Sequence, residues 1–262
     1  MTQAQEVLYN VTDRVATLTI NRPKARNSLN SGVITTLNRF LDQAAADPAI
    51  GSIIITGAGG KAFCAGADLG NTFSTDAGFL ETHDARGEMI QLFQNMNKCK
   101  KPILGAVNGY CLAGGVGLCA SCDLVIATAD SQFGLPEIKR GLWPYVVTAI
   151  LIRNIGRKKT LELCMTGNFI SAAEAKEIGL INYTVPKEEF STAVEKISRK
   201  IGSFSSAIMG LGKSSFYTIA DMDFNTSLEF LKSQITLNTQ TEDIKEGIAA
   251  FMEKRKPVWQ GK

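Results

Sequence analysis

Histidine is nearly absent from this chain, since His83 is the only one among its 262 residues. A metal site built on histidines needs several such side chains, so we expect no bound metal. Long apolar stretches are lacking too, which excludes a membrane-spanning helix. Residues 1–6 also lack the basic and apolar regions of a secretory signal, and we therefore expect a cytoplasmic protein.

Excess charge of either sign is also lacking. The chain has 28 lysines and arginines against 25 aspartates and glutamates, and its net charge is +3. With no basic stripe, this balance argues against nucleic acid or an anionic membrane as a partner. Apolar residues make up 45% and charged residues 20%, as in ordinary globular proteins. The length allows one sizeable core, with or without an appendage.

Cysteine is not scarce, but the context for disulfides or metal binding is missing. The single C-x-x-C, at residues 119–122, has neither a second pair nor a set of histidines to complete a metal or redox site. A long, unsecreted chain keeps its thiols reduced. We therefore predict buried, reduced side chains for all six cysteines, which are Cys64, Cys99, Cys111, Cys119, Cys122 and Cys164.

Hydrophobic periodicity predicts alternating strands and helices in the first half of the chain. Residues 6–21 alternate as two strands around a turn, and a helix begins near Asn30 with one apolar face. Residues 69–82 lack periodicity, which predicts a loop. Continuous apolar strands then alternate with helices, which favours parallel buried strands and an α/β fold. After Trp143 the chain is mainly helical, with one further strand predicted over residues 181–185.

Two glycine-rich segments each follow an apolar strand. The first is FCAGADL at residues 63–69, and the second is NGYCLAGGVG at residues 108–117. Small residues let a ligand approach the backbone, and a helix start after the second segment favours negative charge. The second segment lacks both the Lys-Ser/Thr pair of a P-loop and the glycine spacing of a dinucleotide-binding loop. Two backbone donors from two turns are what an oxyanion hole requires.

These segments, followed by FGLPE at residues 133–137, resemble the crotonase family, the enoyl-CoA hydratase/isomerase superfamily. The resemblance extends from Val7 to about Val258 and includes NRPKARN at residues 21–27 and FMEKR at residues 251–255. It implies a crotonase-type α/β spiral of β-β-α units at residues 1–200. It further implies a helical C-terminal region at residues 201–262 that covers the active site and builds a homotrimer, or a hexamer of two trimers.

By this resemblance, the N–H groups of Ala67 and Gly114 form the oxyanion hole. Glu137 follows an apolar segment, where desolvation would raise the pKa of its carboxyl group toward the operating pH. The resemblance makes it the catalytic acid and base, whereas its residue physics alone fits equally a surface glutamate at a helix start.

The resemblance also implies a site for coenzyme A, which enters as part of an acyl-CoA thioester substrate rather than as a separate cofactor. Lys254, from a neighbouring subunit, would reach the phosphates. A solvated surface position is the competing interpretation of each cation in this set. The binding residues it implies are Lys24, Ala25, Arg26, Ala65, Asp68, Leu69 and Lys254.

One position departs from the family pattern. Hydratases of the family usually carry a second glutamate three residues beyond the oxyanion glycine, and here that position is Gly117. This departure suggests a Δ3,Δ2-enoyl-CoA isomerase, which needs one base. Residues 137–144 and 152–159, however, resemble single-glutamate hydratases of branched or dicarboxylic enoyl-CoAs. We therefore expect an enoyl-CoA hydratase, with the isomerase and a CoA-thioester binder with little catalysis as alternatives.

For three other side chains near these segments, the sequence gives weaker indications of a role at the site. Trp143 and Tyr145 are expected to line the acyl pocket, and Tyr145 stands where the dehalogenase branch of the family has an aspartate nucleophile. Dehalogenation is therefore disfavoured. His83 is expected to be an exposed loop residue rather than a base.

Overall fold

The computed structural model describes residues 5–68 and 78–262 as two β-sheets with surrounding helices. The strands are β1 Val7–Thr12, β2 Val15–Ile20, β3 Ser52–Gly57, β4 Ala62–Cys64, β5 Ile103–Val107, β6 Tyr110–Leu112, β7 Leu124–Thr128, β8 Gln132–Gly134, β9 Phe169–Ser171 and β10 Tyr183–Val185. The described α-helices are α1 Ser31–Ala46, α2 Phe79–Lys98, α3 Gly114–Ala120, α4 Tyr145–Asn154, α5 Gly156–Thr166, α6 Ala172–Glu177, α7 Phe190–Gly202, α8 Ser206–Ile219, α9 Phe224–Asn238 and α10 Glu242–Met252. Short 3-10 turns cover Pro23–Ala25, Pro136–Arg140 and Lys187–Glu189.

The larger sheet has six strands in the order β1-β2-β3-β5-β7-β10. Its first pair is an antiparallel hairpin, in which Asp13 and Arg14 both have positive φ at the turn, as a two-residue hairpin loop of the I′ type requires. The remaining pairs are parallel. The central strand β5 is buried along its whole length, which explains why it is a continuous apolar run instead of an alternating one.

The smaller sheet has four short strands in the order β4-β6-β8-β9. Its first three strands are parallel, and β9 closes the edge in the antiparallel direction. Along the chain, β3 and β4, then β5 and β6, then β7 and β8 alternate between the two sheets. The chain therefore winds as a spiral of β-β-α turns, which confirms the predicted fold class.

The core lies between the sheets and the helices that follow them. Asn30 caps α1 by accepting a hydrogen bond from the Val33 N–H at 2.7 Å. The buried face of α1 is the one that its sequence period predicts, and it consists of Val33, Ile34, Leu37, Phe40, Leu41 and Ala44. All six cysteines are free and buried, which confirms that prediction.

A buried ionic cluster joins the C-terminal helices to the larger sheet. Lys213 of α8 forms a 2.7 Å ion pair with Asp123, which directly precedes β7. Tyr217 donates to the Oδ1 atom of this carboxylate at 2.8 Å, and the Ile103 N–H donates at 2.7 Å to Oδ2, the oxygen that also pairs with Lys213. The predicted division at residue 200 falls inside α7, and that division stays a prediction.

Several predicted elements need correction. The aperiodic segment 69–82 was expected to be a loop, but α2 already begins at Phe79, while residues 69–77 lie outside the described part. The short strand Phe169–Ser171 was missed. Residues 208–231, which the sequence predicts as one helical segment, form two helices separated at residues 220–223. No helix in the described part of the chain is both long and apolar enough to cross a membrane.

Candidate active site

Three neighbouring parallel strands of the smaller sheet end at the candidate site. Ala67 lies three residues after the end of β4, Gly114 two residues after β6, and Glu137 three residues after β8. Because the carboxyl ends of adjacent parallel strands meet at one edge, these residues come from the same edge of the sheet. A hydrogen bond from the Ala113 N–H to the Gly134 carbonyl, 2.9 Å long, ties the second turn to the end of β8.

The two glycine-rich turns are in direct contact. Gly66 has φ +93°, and a Cβ atom there would lie 2.5 Å from the Ala113 Cβ and 3.1 Å from the Gly114 nitrogen. A Cβ on Gly115 would lie 2.3 Å from the Cys64 carbonyl oxygen. Only glycine permits this approach, since any side chain would force the turns apart. Ala113 itself has φ +53° and ψ −127°, a sparsely populated backbone conformation of the kind that occurs at functional sites.

The backbone donors at Ala67 and Gly114 are available to a ligand. Gly114 begins α3, and the first N–H of a helix has no acceptor within the helix. Within residues 5–68 and 78–262, neither this N–H nor that of Ala67 donates to a protein acceptor. The Ala67 turn is fixed instead by its neighbours, because the Leu29 N–H donates to Gly66 and the Asp68 N–H donates to Leu29, each at 2.8 Å.

Glu137 is half-buried in the 3-10 turn that follows β8. Its Oε2 atom is buried and has no hydrogen-bond partner in the described structure. Burial raises the pKa of this carboxyl group, and a backbone hydrogen bond and the nearby Arg140 cation oppose that shift only in part. A carboxyl group whose pKa is raised toward neutrality and whose oxygen is unpaired is suited to moving a proton.

Apolar side chains fill the place beside Gly117. A Cβ atom at this position would lie 3.0 Å from the Phe93 Cζ and 3.1 Å from the Val147 Cγ2. Met89, one turn before Phe93 on α2, lies 3.6 Å from the place of a Cβ on Gly114. Helix α2 therefore packs its apolar face over the glycines of α3. Phe93 and Val147 therefore form an apolar wall at the place where the side chain of a second glutamate would begin.

The predicted CoA-binding residues at the start of the chain lie next to the first turn. The Ala65 N–H donates to the Arg26 carbonyl at 3.1 Å, and this bond joins the Pro23–Ala25 turn to the first glycine-rich segment. Lys24, Ala25 and Arg26 are exposed there, and Ala65 is half-buried. Their placement permits a ligand contact, but their role stays a prediction.

Asp68 is held by the protein itself. Its Oδ2 accepts from Arg22 at 2.8 Å, and the same guanidinium pairs with Glu6 at 2.8 Å and donates to the Ser28 carbonyl. Arg22 was not singled out from the sequence, although it lies in the NRPKARN motif. Leu69, the next predicted contact, lies outside the described residues.

The other predicted side chains are dispersed. Lys254 is exposed in the turn after α10, and no described hydrogen bond or ion pair joins it to the Pro23–Ala25 turn. His83 is exposed as predicted, but it lies on α2 and not in a loop. Trp143 is half-buried against the core, whereas Tyr145 is 75% exposed.

Phe93 and Val147 are the site residues that sequence reasoning missed. Phe93 was identified only as part of the helical apolar pattern of α2, and Val147 only as part of that of α4. Their contact with Gly117 joins segments far apart in the chain, so no local pattern indicates it. The available signal was the glycine itself in mid-helix, which usually has a packing reason.

Comparisons with known proteins identify the family of this chain. The family model described as enoyl-CoA hydratase/isomerase matches residues 10–262. "Probable enoyl-CoA hydratase, mitochondrial" from Dictyostelium discoideum is 38% identical over 95% of this chain and 88% of its own length. 2,3-Dehydroadipyl-CoA hydratase from Escherichia coli strain K12 is 33% identical over 98% of this chain and 99% of its own.

Solved structures give the same result for the fold. The enoyl-CoA hydratase from Bacillus anthracis superposes with a TM-score of 0.93 at 32% identity, over 98% of this chain and 100% of that one. Motif order, spiral topology and full-length similarity therefore agree, and this chain belongs to the enoyl-CoA hydratase/isomerase family, the crotonase superfamily.

Proposed function

We propose that this protein is an enoyl-CoA hydratase that adds water to a 2-enoyl-CoA with Glu137 as its one acid/base carboxylate. The observation that carries the proposal is the half-buried Glu137, with an unpaired Oε2, at the same sheet edge as the two free backbone donors. The hydratase names of the relatives support the reaction class.

In this mechanism the thioester oxygen accepts hydrogen bonds from the Ala67 and Gly114 N–H groups. Glu137 takes a proton from water as the water oxygen bonds to the β-carbon. The π electrons of the double bond then move onto the thioester oxygen as an enolate, which the two donors stabilise. Glu137 returns the proton to the α-carbon as the enolate collapses, so one water has been added.

The apolar wall of Phe93 and Val147 favours a second candidate, a Δ3,Δ2-enoyl-CoA isomerase. Isomerisation moves one proton from the α-carbon to the γ-carbon and needs no activated water, so one carboxylate suffices. Incubation with crotonyl-CoA and with a 3-enoyl-CoA, followed by separation of the products, distinguishes the two reactions. A protein that binds both thioesters and converts neither would be a CoA-thioester binder.

Replacement of the carboxyl group tests the role of Glu137. Glu137→Gln is expected to lower kcat by about 10²–10⁴, because the amide cannot take up or release the proton. The melting temperature at pH 7 should not fall, since the amide avoids the desolvation that raises the pKa of this carboxyl group. Glu188→Gln, an exposed glutamate in another 3-10 turn, is the matched control. Unchanged turnover in Glu137→Gln would remove this residue from the mechanism.

We further propose that the nucleotide end of the substrate lies against the exposed Lys24 and Arg26. Backbone contacts at Ala25, Ala65 and the Asp68–Leu69 segment would hold the pantetheine, and Lys254 would reach the phosphates. No separate cofactor is needed for this chemistry. The cytoplasm is the proposed compartment, although the name of the Dictyostelium relative includes "mitochondrial".

The proposed assembly is a homotrimer, single or paired into a hexamer. Support comes from apolar side chains that α9 and α10 leave exposed, among them Phe224 at 74% and Phe251 at 81%. Light scattering at micromolar protein is expected to give three or six times the 28.3 kDa chain mass. A monomer under these conditions would contradict the proposal.

A further inference from the structure

The C-terminal segment folds back along one face of α10 and is fastened there by two carboxylates. Asp243, which is fully buried, accepts from the Gln260 N–H at 2.7 Å and from the Gly261 N–H at 2.9 Å. Glu246, one turn further along, accepts from the Val258 N–H at 2.6 Å. Directly after Glu246, Gly247 leaves room for the Trp259 ring, which would lie 3.2 Å from a Cβ at that position.

The turn that joins α10 to this segment is fixed at both ends. On the helix side, the Arg255 N–H donates to Ala250 and the Lys254 N–H donates to Phe251, the pair of bonds of a Schellman motif. On the other side, Arg255 forms a bidentate ion pair with Glu246, with Nη1–Oε1 2.6 Å and Nη2–Oε2 2.9 Å. A planar guanidinium in this fork geometry has little freedom to rotate.

Lys254 occupies the position of this turn that usually belongs to glycine. It has φ +54°, the left-handed conformation in which helices prefer glycine because other residues are strained. Its side chain is exposed and makes no hydrogen bond or ion pair with the described residues. A strained non-glycine residue at an over-determined turn is an observation that points to function.

We propose that Glu246 is a positioning residue for Lys254. By holding Arg255 and the Val258 N–H together, it fixes the turn so that the Lys254 ammonium is presented to the phosphates of the coenzyme A nucleotide. The inference rests on the proposed function insofar as it takes CoA as the ligand.

Binding of free CoA, compared with pantetheine, which lacks the nucleotide, tests this role by titration calorimetry on the full chain. Lys254→Met is expected to weaken CoA about tenfold, and Glu246→Gln about three- to tenfold. Pantetheine binding should stay within about twofold of wild type in both variants, because the phosphates are absent. Arg255→Lys keeps the charge but loses the bidentate fork, and it is expected to reproduce the Glu246→Gln effect.

Two comparisons separate positioning from a general structural role. In the Lys254→Met background, Glu246→Gln should weaken CoA no further. Glu253→Gln is the matched control, because Glu253 also pairs with Arg255 at 2.6 Å but makes no bond to the returning segment. Additive losses in the double variant, equal losses for pantetheine, or an unchanged CoA affinity in Lys254→Met would each overturn the inference. Since binding is measured without turnover, absence of hydratase activity would count against the proposed function alone.

Discussion

Two residues at the candidate site, Glu137 and Gly117, have opposite environments. Glu137 keeps an ionisable group where burial outweighs the opposing Arg140 cation and raises its pKa. Gly117 lies in the middle of α3, where the side chains of Phe93 and Val147 occupy the space that a glutamate side chain would enter. One carboxylate and one apolar wall therefore stand where the family resemblance implies two carboxylates for a hydratase.

Introducing the second carboxylate is expected to damage the protein. In Gly117→Glu, the new Cβ would meet Phe93 at 3.0 Å and Val147 at 3.1 Å. Overpacking alone should lower the free energy of unfolding by about 1–3 kcal/mol. A buried unpaired carboxylate adds a further desolvation cost. Urea unfolding measures the loss, and crotonyl-CoA hydration should not increase.

Gly87 provides the matched control for this substitution. It lies on α2, which packs over Gly117, and no atom of the described residues lies within 4 Å of a Cβ there. Gly87→Glu is expected to raise the free energy of unfolding by about 0.5–1 kcal/mol, since glycine is a poor helix former. The prediction would be contradicted by a Gly117→Glu variant that is as stable as Gly87→Glu and hydrates crotonyl-CoA faster than the unmodified protein. Such a result would mean that Phe93 and Val147 move aside at little cost in free energy.

At the scale of elements, we expect the contact between the two glycine-rich turns to determine whether the proposed donor pair forms. Gly66→Ala would place a methyl group 2.5 Å from the Ala113 Cβ and 3.1 Å from the Gly114 nitrogen. We expect kcat to fall by about 10²–10³, the usual loss for one oxyanion donor. Steady-state kinetics and a melting curve measure the two effects.

Gly60→Ala is the control that separates the effect of backbone strain at positive φ from the effect of steric contact between the two turns. Gly60 also has positive φ, +65°, but in the described part of the chain no atom lies within 4 Å of a Cβ there. It should lose about 1–2 kcal/mol of stability from the left-handed backbone alone, with kcat unchanged. Equal kinetic effects of Gly60→Ala and Gly66→Ala would mean that turn contact does not control the donors.

Elements with a strong local period were predictable from sequence. The sequence predicted the correct type of secondary structure for β1, β2, α1 and β5. Each of these elements has a pattern of apolar residues that depends only on which of its own faces are buried. The strand Phe169–Ser171 was not predictable, because three residues contain too little periodicity. The order of the glycine-rich motifs indicated the two turns that carry the candidate donors. The contact of Phe93 with Gly117 was not predictable, because it depends on how α2 crosses α3 and a local sequence pattern holds no information on that crossing.

At the scale of the whole molecule, the buried cluster at Asp123 holds the C-terminal helices to the sheet. The Lys213 side chain is 7% exposed and that of Asp123 17%, so removing one partner leaves a charge inside the protein. Lys213→Met is expected to lower the free energy of unfolding by about 3 kcal/mol, near the low end for such pairs, because Tyr217 and the Ile103 N–H still donate to Asp123.

A surface ion pair gives the reference for this prediction. Arg153 and Asp221 form a 3.1 Å pair whose side chains are 56% and 67% exposed. Arg153→Met should change the free energy of unfolding by less than about 1 kcal/mol, because water screens the pair. Urea unfolding of both variants measures the difference. Equal effects would mean that Asp123 is hydrated in the unmodified protein.

The two candidate N–H donors and Glu137 follow the ends of three adjacent strands, whereas the side chains that pack beside Gly117 come from helices. The separation of neighbouring strands, about 4.8 Å, is a property of backbone hydrogen bonding and hardly varies with side chains. In the proposed mechanism, the sheet thus fixes the positions of the groups that polarise the thioester. Phe93 and Val147 belong to helices outside that sheet. If the proposed mechanism holds, we therefore expect substitutions on α2 and α4 to change which carbon receives the proton, while the polarisation of the thioester stays constant.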